Sequence, residues 1–456
     1  MYLERLAGAA AGVWRRFLCC DPMAGLTLRR WIGHDKQDCF QEIETLERIL
    51  IENILPFWYP EAIDRECGGY RLNHDLMGRW KGRAERHIVS QSRMVWFFSR
   101  MTNSRFARGE YLEASRHGYE FLHDRMWDRQ FGGFYWEVGP SGTGATKPHK
   151  HLYGQAFGLY AMSEYATASG DASAATLATE LFDILESRCR DRKHGGYIDF
   201  FSRDWKQFHD SSKAYLNGDP SVKLMNTHIH LLEAVTSYFV LTGDGLAKER
   251  LIELIFIQSN AVVRKSVGVC TDRYQLDWTP LRGARHERVC YGHDLENVWL
   301  LIKACDAAGI SNGPLLDLYR TLFASALRYG FDRRKGGFYH SGPFNMPADR
   351  REKVWWIQAE SLISALRMYC LTREEIYYNC FSQTLDWIVK SQADWEYGDW
   401  HAIIDANGKP RGDKAGAMWK SAYHNGRAVT ECLEMLSLLL ESSVPKDREG
   451  SDRGTR

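Results

Sequence analysis

Side chains suited to proton transfer recur near the starts of strongly apolar segments of this sequence. In the segment that begins at Met225, the residues Asn226, His230 and Glu233 are spaced i, i+4 and i+7, so they share one face of a helix. Comparable sets follow in three later segments: His293 with Glu296, Trp356 with Glu360, and Trp419 with His424 and Arg427. The three histidines of these sets are predicted to lie at one level of three structural repeats.

Imidazoles at one level suit proton transfer at a carbon next to a carbonyl. The ordinary pKa of histidine is about 6.5, so the side chain takes up and returns a proton at neutral pH. Two imidazoles on opposite sides of such a carbon would remove a proton from one face and return one to the other, which inverts the centre. Arg93 and Arg427 would stabilise the enediolate oxygen. A sugar opened to its aldehyde provides the carbonyl, and tryptophan rings would hold the sugar by stacking.

The sequence contains none of the common cofactor or covalent-catalysis motifs. It has no dinucleotide-binding glycine pattern, no phosphate-binding loop and no nucleophile elbow. We therefore expect the chemistry to run on side chains alone, with no cofactor and no metal.

A short turn pattern repeats along the chain. An Asp-Arg pair precedes Gly-Gly and an aromatic residue at four places, which begin at Asp64, Asp128, Asp191 and Asp332, and a degenerate copy begins at Asp394. The starts are 64, 63, 141 and 62 residues apart, so one copy is predicted to have lost its signature near residues 266–274. Six units are implied. The glycines accept positive φ and the ring packs on the helix beneath, so we expect these turns to be structural.

An amphipathic segment precedes each turn, and a more apolar segment follows it. The amphipathic segments are 40–55, 111–126, 172–188, 246–262, 315–329 and 374–389. The apolar segments begin near Ser90, Leu152, Met225, Gly292, Trp355 and Met418. Twelve helices that alternate in this way form an outer ring wetted on one side and an inner ring buried on all sides. The predicted fold is all-α: a six-hairpin (α/α)6 barrel with short β-hairpins in the connecting loops.

The buried faces of the inner helices are expected to converge on one axial cavity. Comparable positions on these helices are Arg93, Gln155, His230, Glu296, Glu360 and Arg427. The barrel is predicted to span residues 36–440 as one domain. It would follow an N-terminal extension over residues 1–35, whose order the sequence does not decide, and precede a disordered tail over residues 441–456.

Charge and composition favour a neutral small-molecule ligand. The 456 residues carry a net charge of +1, which supplies no one-signed field for nucleic acid or a membrane surface. Sixteen Trp, 22 Tyr and 21 Phe exceed the usual needs of a core of this size. Eleven scattered cysteines without a CxxC pair are typical of reduced thiols, and no segment has the length of a membrane span. We expect a cytoplasmic monomer or homodimer that acts on a small sugar, with no nucleic-acid or membrane partner.

Four blocks of the sequence resemble the N-acylglucosamine 2-epimerase superfamily, and most closely its cellobiose 2-epimerase branch. They lie at 226–234, 291–296, 355–360 and 414–427, in this order on the predicted barrel. The resemblance extends over about residues 36–440. It implies an (α/α)6 barrel and a cofactor-independent aldose 2-epimerisation through a ring-opened cis-enediolate.

The resemblance also implies roles for individual residues. His293 and His424 would be the acid/base pair, and His230 would assist ring opening and proton relay. Substrate binding would fall to Arg93, Asn226, Glu296, Trp356, Glu360, Trp419 and Arg427. Among these, Arg93 would clamp the oxygens at C1 and C2, Asn226 and Glu296 would bond sugar hydroxyls, and Trp356 and Trp419 would supply stacking platforms.

Two places depart from the pattern of the branch. The sequence Asp399-Trp400-His401 replaces an acidic residue followed by Trp-Phe or Trp-Tyr, and Asn297 stands where a small residue is usual. We expect both to line the outer sugar subsite. The substrate therefore stays open between cellobiose or a related β-1,4-linked disaccharide, D-mannose or D-glucose, and an N-acyl hexosamine.

Other functions also remain open. An aldose-ketose isomerase of the mannose-to-fructose type would use one base on one face of the sugar. A glycoside hydrolase on the same barrel would use two carboxylates from Asp294, Glu296 and Glu360. His230, His293 and Glu296 would form a metal site, since imidazole and carboxylate are metal ligands. A non-catalytic sugar-binding barrel is the last alternative.

Overall fold

The computed structural model describes residues 36–442 except 209, 212, 213, 216, 217 and 415–417. Twelve long helices alternate along this part of the chain between an outer and an inner position. Odd-numbered helices are outer and even-numbered helices are inner: α1 Lys36–Arg48, α2 Ile88–Thr102, α3 Gly109–Phe121, α4 Leu152–Ser169, α5 Ala172–Arg188, α6 Met225–Thr242, α7 Gly245–Phe256, α8 Tyr291–Ala308, α9 Leu316–Tyr329, α10 Trp355–Thr372, α11 Glu375–Trp387 and α12 Tyr423–Ser442.

Four outer helices end in a wider, π-helical turn, and one begins with a 3-10 turn. The π-helical segments are Ile49–Ile54, Leu122–Met126, Ile257–Ala261 and Ile388–Gln392, and the first continues into the short helix Leu55–Trp58. The 3-10 turn Gly313–Leu315 precedes α9. The predicted amphipathic segments therefore match the outer helices.

The six inner helices form a closed ring inside the outer helices. Each inner helix packs against the next one, and α12 packs against α2. Each inner helix also packs against the outer helix that follows it, and α1 covers α12. Burial follows the predicted pattern, since α4 is buried continuously from Leu152 to Ala166 whereas α9 buries one stripe from Tyr319 to Ala326. The predicted (α/α)6 barrel is confirmed.

Short strands connect neighbouring repeats where the inner helices begin. They are β1 Arg86–His87, β2 Glu137–Val138, β3 Ala145–Lys147, β4 Lys150–His151, β5 Phe200–Phe201, β6 Val222–Leu224, β7 Val263–Arg264, β8 Val269–Cys270, β9 Arg273–Gln275, β10 Arg288–Cys290, β11 Ser341–Pro343, β12 Lys353–Val354, β13 Ile403–Ile404 and β14 Pro410–Arg411. The strand before an inner helix pairs antiparallel with a strand of the next repeat, as in β1 with β2 and β4 with β5. The same holds for β6 with β9, β10 with β11 and β12 with β13.

The Asp-Arg-x-x-Gly-Gly turns are structural, as the sequence predicted. The Asp128 carboxylate accepts hydrogen bonds from the backbone N–H groups of Gln130 and Phe131, which closes the turn on itself. Gly133 has a φ of +69°, and a Cβ there would lie 2.4 Å from the ring of Trp205. Only glycine meets both conditions.

One residue near the start of each inner helix binds the turn of its own repeat, and we call it the anchor. The anchors are Gln91, Gln155, His228, Asp294, Gln358 and Asn425. Gln155 is typical: its amide oxygen accepts from the N–H of Phe134 and its amide nitrogen donates to the carbonyl of the same residue. Because the anchor faces outward, its contact sets the rotation of the whole helix.

The fourth and sixth turns differ from the others in their residue types but lie at the equivalent positions of their repeats. Where the glycine signature is missing, β7 and β8 form a hairpin whose Cys270 N–H donates to the anchor Asp294. In the sixth turn Asp399 stands at a φ of +55°, the place of the second glycine elsewhere. The Asp399 carboxylate accepts from Lys420 and from the anchor Asn425.

Tryptophans from the following repeat cover two of the Gly-Gly turns. The indole N–H of Trp205 donates to the carbonyl of Phe131, and that of Trp278 donates to the carbonyl of Gly195. Each ring also lies over a buried lysine, Lys150 and Lys223 respectively. Part of the aromatic surplus is therefore architectural.

The predicted terminal segments lie almost entirely outside the described residues. The extension over 1–35 is outside them, and of the tail over 441–456 only the first two residues are described, as the last turn of α12. None of the described helices has both the length and the apolar character to cross a membrane. The nine cysteines within the described ranges are free thiols.

Buried basic side chains neutralise the turn aspartates, and Lys353 offers a direct test. Its ammonium lies 2.9 Å from the Asp332 carboxylate and 2.5 Å from the carbonyl of Gly336. Burial lowers the pKa of Lys353 to about 8, against the opposing effect of Asp332. We expect Lys353→Met to lower the free energy of unfolding by about 3–5 kcal/mol, because Asp332 loses its partner in a buried place. Denaturant titration measures this change.

Lys390→Met is the matched control for that measurement. Lys390 pairs with Asp386 at 2.9 Å, but both side chains are 70% exposed. The expected loss is below about 1 kcal/mol. Equal losses for the two variants would show that the buried pair does not hold the turn.

Candidate active site

The anchors place four layers of side chains on the barrel axis. Residues two before or two after an anchor lie about half a turn around the helix from it, so they face inward. Two before the anchor, the first layer includes Tyr153, Asn226, Trp356 and Tyr423. Two after it, the second layer is Arg93, Phe157, His230, Glu296, Glu360 and Arg427. The third layer lies five residues after the anchor and includes Trp96, Tyr160, Glu233 and Trp299. The fourth layer lies nine residues after the anchor and consists of Arg100, Glu164, Ser237, Lys303, Arg367 and Glu434.

The predicted comparable positions are therefore correct on five inner helices and wrong on α4. Gln155 faces outward as the anchor, and Phe157 takes the axial position. The histidines also differ in level from the prediction. His293 and His424 directly precede their anchors, whereas His230 lies two residues after its anchor, about one turn deeper.

A buried arginine holds three carboxyl groups together in the second and third layers. The guanidinium of Arg427 is fully buried and ion-pairs with Glu233, with Glu360 at 2.7 Å and with Glu296 at 3.5 Å. It also lies over the ring of Tyr423, 4.2 Å from the ring centre. The sequence assigned Arg427 to the sugar; in the structure its two terminal nitrogens bind these protein carboxylates.

The pKa values of the three carboxyl groups differ because their partners differ; burial raises that of Glu360, and Arg427 and the hydrogen bond from Trp299 act against the rise. Burial acts to raise the pKa of Glu233, but the charge of Arg427 and hydrogen bonds from His230 and Tyr423 lower it to about 2. Burial and the nearby charge of Glu360 raise the pKa of Glu296 well above its ordinary value. Glu233 is therefore ionised, and Glu296 is the carboxyl group that most readily holds a proton.

Two of the three predicted histidines are oriented by carboxylates. Nδ1 of His230 lies 3.1 Å from Oε2 of Glu233, and Nδ1 of His424 lies 2.5 Å from Oε1 of Glu360. A carboxylate oxygen accepts, so Nδ1 carries the hydrogen and Nε2 keeps its lone pair. Both imidazoles are thus prepared to accept a proton at Nε2.

Trp356 lies beside both members of the predicted acid/base pair. Its ring centre is 5.0 Å from that of His293 and 6.0 Å from that of His424. Burial lowers the pKa of all three histidines, to about 4 for His230 and well below the ordinary value for His424, where Arg93 and Arg427 add to the effect. The imidazoles are therefore neutral bases at neutral pH.

Arg93 is a buried cation without a counter-ion in the described part of the chain. Its side chain donates to the carbonyl of Trp419 at 2.6 Å and to the hydroxyl of Tyr153 at 3.2 Å, and no described carboxylate lies within 4 Å of it. The rings of Phe157 and Tyr423 flank the guanidinium at 4.5 and 4.9 Å. A charge in this state is available to stabilise a negative oxygen on a bound molecule.

Asn226 and Trp419 lie at the entrance to this cluster. Asn226 is half-buried in the first turn of α6, and its backbone N–H donates to Asp272. The sequence placed Trp419 on the last inner helix, but α12 begins at Tyr423 and Trp419 lies in the preceding turn. Its indole is 37% exposed and 5.8 Å from the ring of Tyr153.

The residues expected at an outer sugar subsite are structural instead. Asn297 is fully buried and donates to the carbonyl of Gln258. Asp399 and Trp400 are fully buried as well, and His401 lies in the same hairpin. These departures from the branch pattern therefore give no information on the outer sugar.

The structure bears on two of the alternatives, the metal site and the pair of hydrolytic carboxylates. The closest group of potential metal ligands in the described ranges is Glu296, Glu360 and His424, within 4.8 Å of one another, rather than the predicted set of His230, His293 and Glu296. Arg427 already supplies positive charge at that point. Of the carboxylates considered for hydrolysis, Asp294 is an outward anchor, and both oxygens of Glu360 accept from protein donors.

Several residues of the site carry no assignment from the sequence. They are Tyr153, Phe157, Trp299 and Tyr423, whereas the sequence grouped Glu233 with His230 but gave it no separate role. In a buried helix, the residue type alone does not distinguish an aromatic side chain of the site from one that packs in the hydrophobic core. Their spacing from the anchor is the signal that identifies them, and the anchor is recognised only once its turn is in place.

Comparisons with known proteins point to one family of sugar-modifying enzymes. A model of the N-acylglucosamine 2-epimerase family matches residues 68–428. Cellobiose 2-epimerase of Dictyoglomus turgidum is 30% identical over 397 residues, which cover 85% of this chain and 96% of that protein. D-mannose isomerase of Marinomonas mediterranea is 28% identical, with 85% and 96% of the two chains covered.

A solved structure shows the same architecture. The structure of cellobiose 2-epimerase from Spirochaeta thermophila matches with a TM-score of 0.79 at 32% identity, over 89% of this chain and 98% of that one. The chain therefore belongs to the N-acylglucosamine 2-epimerase family and is a carbohydrate epimerase or isomerase.

Proposed function

We propose that this protein is a cofactor-independent aldose 2-epimerase that inverts C2 at the reducing end of a neutral sugar. The observation that carries the proposal is the uncompensated Arg93 guanidinium beside neutral imidazoles. Proton removal from C2 of an open-chain aldose creates an enediolate, and this anion needs a fixed positive charge. Arg93 supplies that charge without first breaking an ion pair with a protein carboxylate.

The proposed reaction uses each histidine at a different step. His230 assists opening of the sugar ring, since its Nε2 is free and Glu233 supports its Nδ1. His293 or His424 then removes the C2 proton, and Arg93 binds the oxygens at C1 and C2. The other member of the pair returns a proton taken from solvent to the opposite face, and Glu360 stabilises the imidazolium that forms on His424.

Binding of the sugar is assigned to groups that the protein leaves available. Trp356 and the exposed Trp419 provide ring faces for stacking. Asn226 and Glu296 would bond the hydroxyls. The net charge of +1 fits a substrate without charge. Similarity to cellobiose 2-epimerases favours a β-1,4-linked disaccharide, with mannose or glucose and N-acyl hexosamines as the other candidates.

A second candidate function is aldose-ketose isomerisation of mannose to fructose. The similarity to a D-mannose isomerase supports it. One base would move a proton between C2 and C1 on the same face, so a single histidine of the pair would suffice. The product distinguishes the two reactions.

Incubation in deuterated water with glucose, mannose, N-acetylglucosamine, cellobiose and mannobiose tests the proposal. We expect deuterium at C2 of one of these sugars together with its 2-epimer, measured by NMR and chromatography, because the returned proton comes from solvent. Fructose as the main product from mannose would favour the isomerase, and glucose released from cellobiose would indicate hydrolysis. Activity retained after chelation would exclude the metal-site alternative.

Replacement of either member of the acid/base pair tests the assignment of roles. We expect His293→Ala and His424→Ala to lower kcat for C2 inversion by about 100- to 10,000-fold, because each removes one proton-transfer group. The matched control is His228→Gln, since glutamine is the anchor of three other inner helices. The control should keep its activity. Near-wild-type turnover in both alanine variants would contradict the two-base mechanism.

The pH dependence of kcat/KM follows from the direction of the histidine pKa shifts. A lowered pKa keeps an imidazole in its basic form at more acidic pH than usual. We therefore expect kcat/KM to be constant from neutral pH to about 6.5 and to reach half its plateau only below this value. A midpoint at or above 6.5 would contradict burial of the base. Circular dichroism over the same pH range distinguishes this fall in kcat/KM from acid unfolding.

A further inference from the structure

Glu233 is a buried carboxylate that contacts groups on two helices but lies in the third layer, below the proposed sugar site. On its own helix, α6, it accepts from Nδ1 of His230 at 3.1 Å. From α12 it accepts the hydroxyl of Tyr423 at 2.6 Å and a guanidinium nitrogen of Arg427. All four side chains are buried. Three donors thus converge on one ionised group.

Arg427 continues this chain of contacts to the far side of the barrel. Its other terminal nitrogen lies 2.7 Å from Oε1 of Glu360, the same oxygen that receives Nδ1 of His424 at 2.5 Å. The second oxygen of Glu360 accepts from Trp299 at 2.8 Å. An unbroken series of charge-assisted hydrogen bonds therefore joins His230 to His424.

The arrangement depends on the balance of charge around Arg427. A guanidinium in a low-dielectric interior requires a carboxylate partner. Glu233 provides one through one nitrogen, which leaves the other nitrogen to hold Glu360 in line with His424. If the charge on Glu233 is removed, we expect Arg427 to draw closer to Glu360 and Glu296, so that Glu360 no longer faces His424.

We propose that Glu233 is a positioning residue that aligns two histidines of the proposed reaction, His230 directly and His424 through Arg427 and Glu360. It fixes the Nδ1–H tautomer on each imidazole and so directs each Nε2 lone pair toward the sugar. This inference rests on the proposed function for its kinetic consequence. The alignment itself is a property of the protein alone.

A second buried carboxylate provides a matched control. Glu431 lies on α12 one turn after Arg427 and also contacts three cations: Lys303 at 3.0 Å, Arg367 at 2.8 Å and Arg100 at 3.9 Å. Its surroundings belong to the fourth layer, whose side chains line a cavity at the other end of the barrel axis from the histidines. Removing its charge perturbs the fold in a comparable way without touching the histidines.

Kinetics of Glu233→Gln and Glu431→Gln form the first arm of the test. We expect Glu233→Gln to lower kcat by about 100-fold, the effect of small misplacement of catalytic groups, with KM little changed. Glu431→Gln should lower Tm to a similar extent but keep kcat. Equal losses of kcat in the two variants would overturn the proposal. If Glu233→Gln does not fold, Glu233→Asp replaces it, because a carboxylate one methylene shorter keeps the charge but cannot hold its contacts to His230 and Arg427 together. Wild-type kcat in that variant would equally overturn the positioning role.

Nitrogen-15 NMR of the histidine rings is the second arm and needs no turnover. The wild type should show the Nδ1–H tautomer for His230 and His424. Glu233→Gln should shift both rings toward a mixture of tautomers, whereas Glu431→Gln should leave both unchanged. Unaltered tautomers in Glu233→Gln would overturn the proposal. If no sugar exchanges its C2 proton with the wild type, the proposed function fails, and the NMR result still decides the positioning role.

Discussion

The hydrogen bonds between each anchor and its turn are the constraint on which the rest of this barrel depends. A helix that is apolar on all sides has no intrinsic preference for which face meets the axis. The anchors remove that freedom, because the backbone groups of the turn are satisfied only at one rotation. The anchor types differ, from glutamine to histidine, aspartate and asparagine, yet the same offsets from them always face inward. Six local contacts thus decide which side chains reach the axis, and contacts among those side chains then fix their orientation.

The buried arginines of the inner helices are matched by carboxylates, with one exception. Arg427 in the second layer and Arg367 in the fourth are each matched by glutamates within 3 Å. Arg93 is the exception among the buried arginines of the inner helices, since it binds only a carbonyl and a hydroxyl. An unmatched buried cation costs stability, and in the proposed reaction the enediolate would provide the negative charge that Arg93 lacks.

The fold was largely predictable from the sequence, whereas the site was predictable only in part. Helix periodicity and turn chemistry are local, so the twelve helices, six turns and barrel follow from them. Helix rotation is not local. Gln155 looks like a site residue because it is polar in an apolar helix, but its polarity serves a backbone turn. Asp399 resembles a sugar ligand until its positive φ and its contact with Lys420 are known. Trp419 was placed on a helix because propensity does not show that α12 begins only at Tyr423.

The bulky third layer determines how a substrate approaches. Trp96, Tyr160 and Trp299 are almost completely buried and fill the axis beneath the histidines, and the paired charges of the fourth layer lie below them. These rings therefore separate the histidines from the cavity that the fourth layer lines. In the proposed reaction only the reducing end of a sugar would reach the histidines, and the rest of a longer sugar would extend away from the third layer. If the third layer blocks passage along the axis, product would have to leave on the side by which substrate entered, so the two would compete for one site.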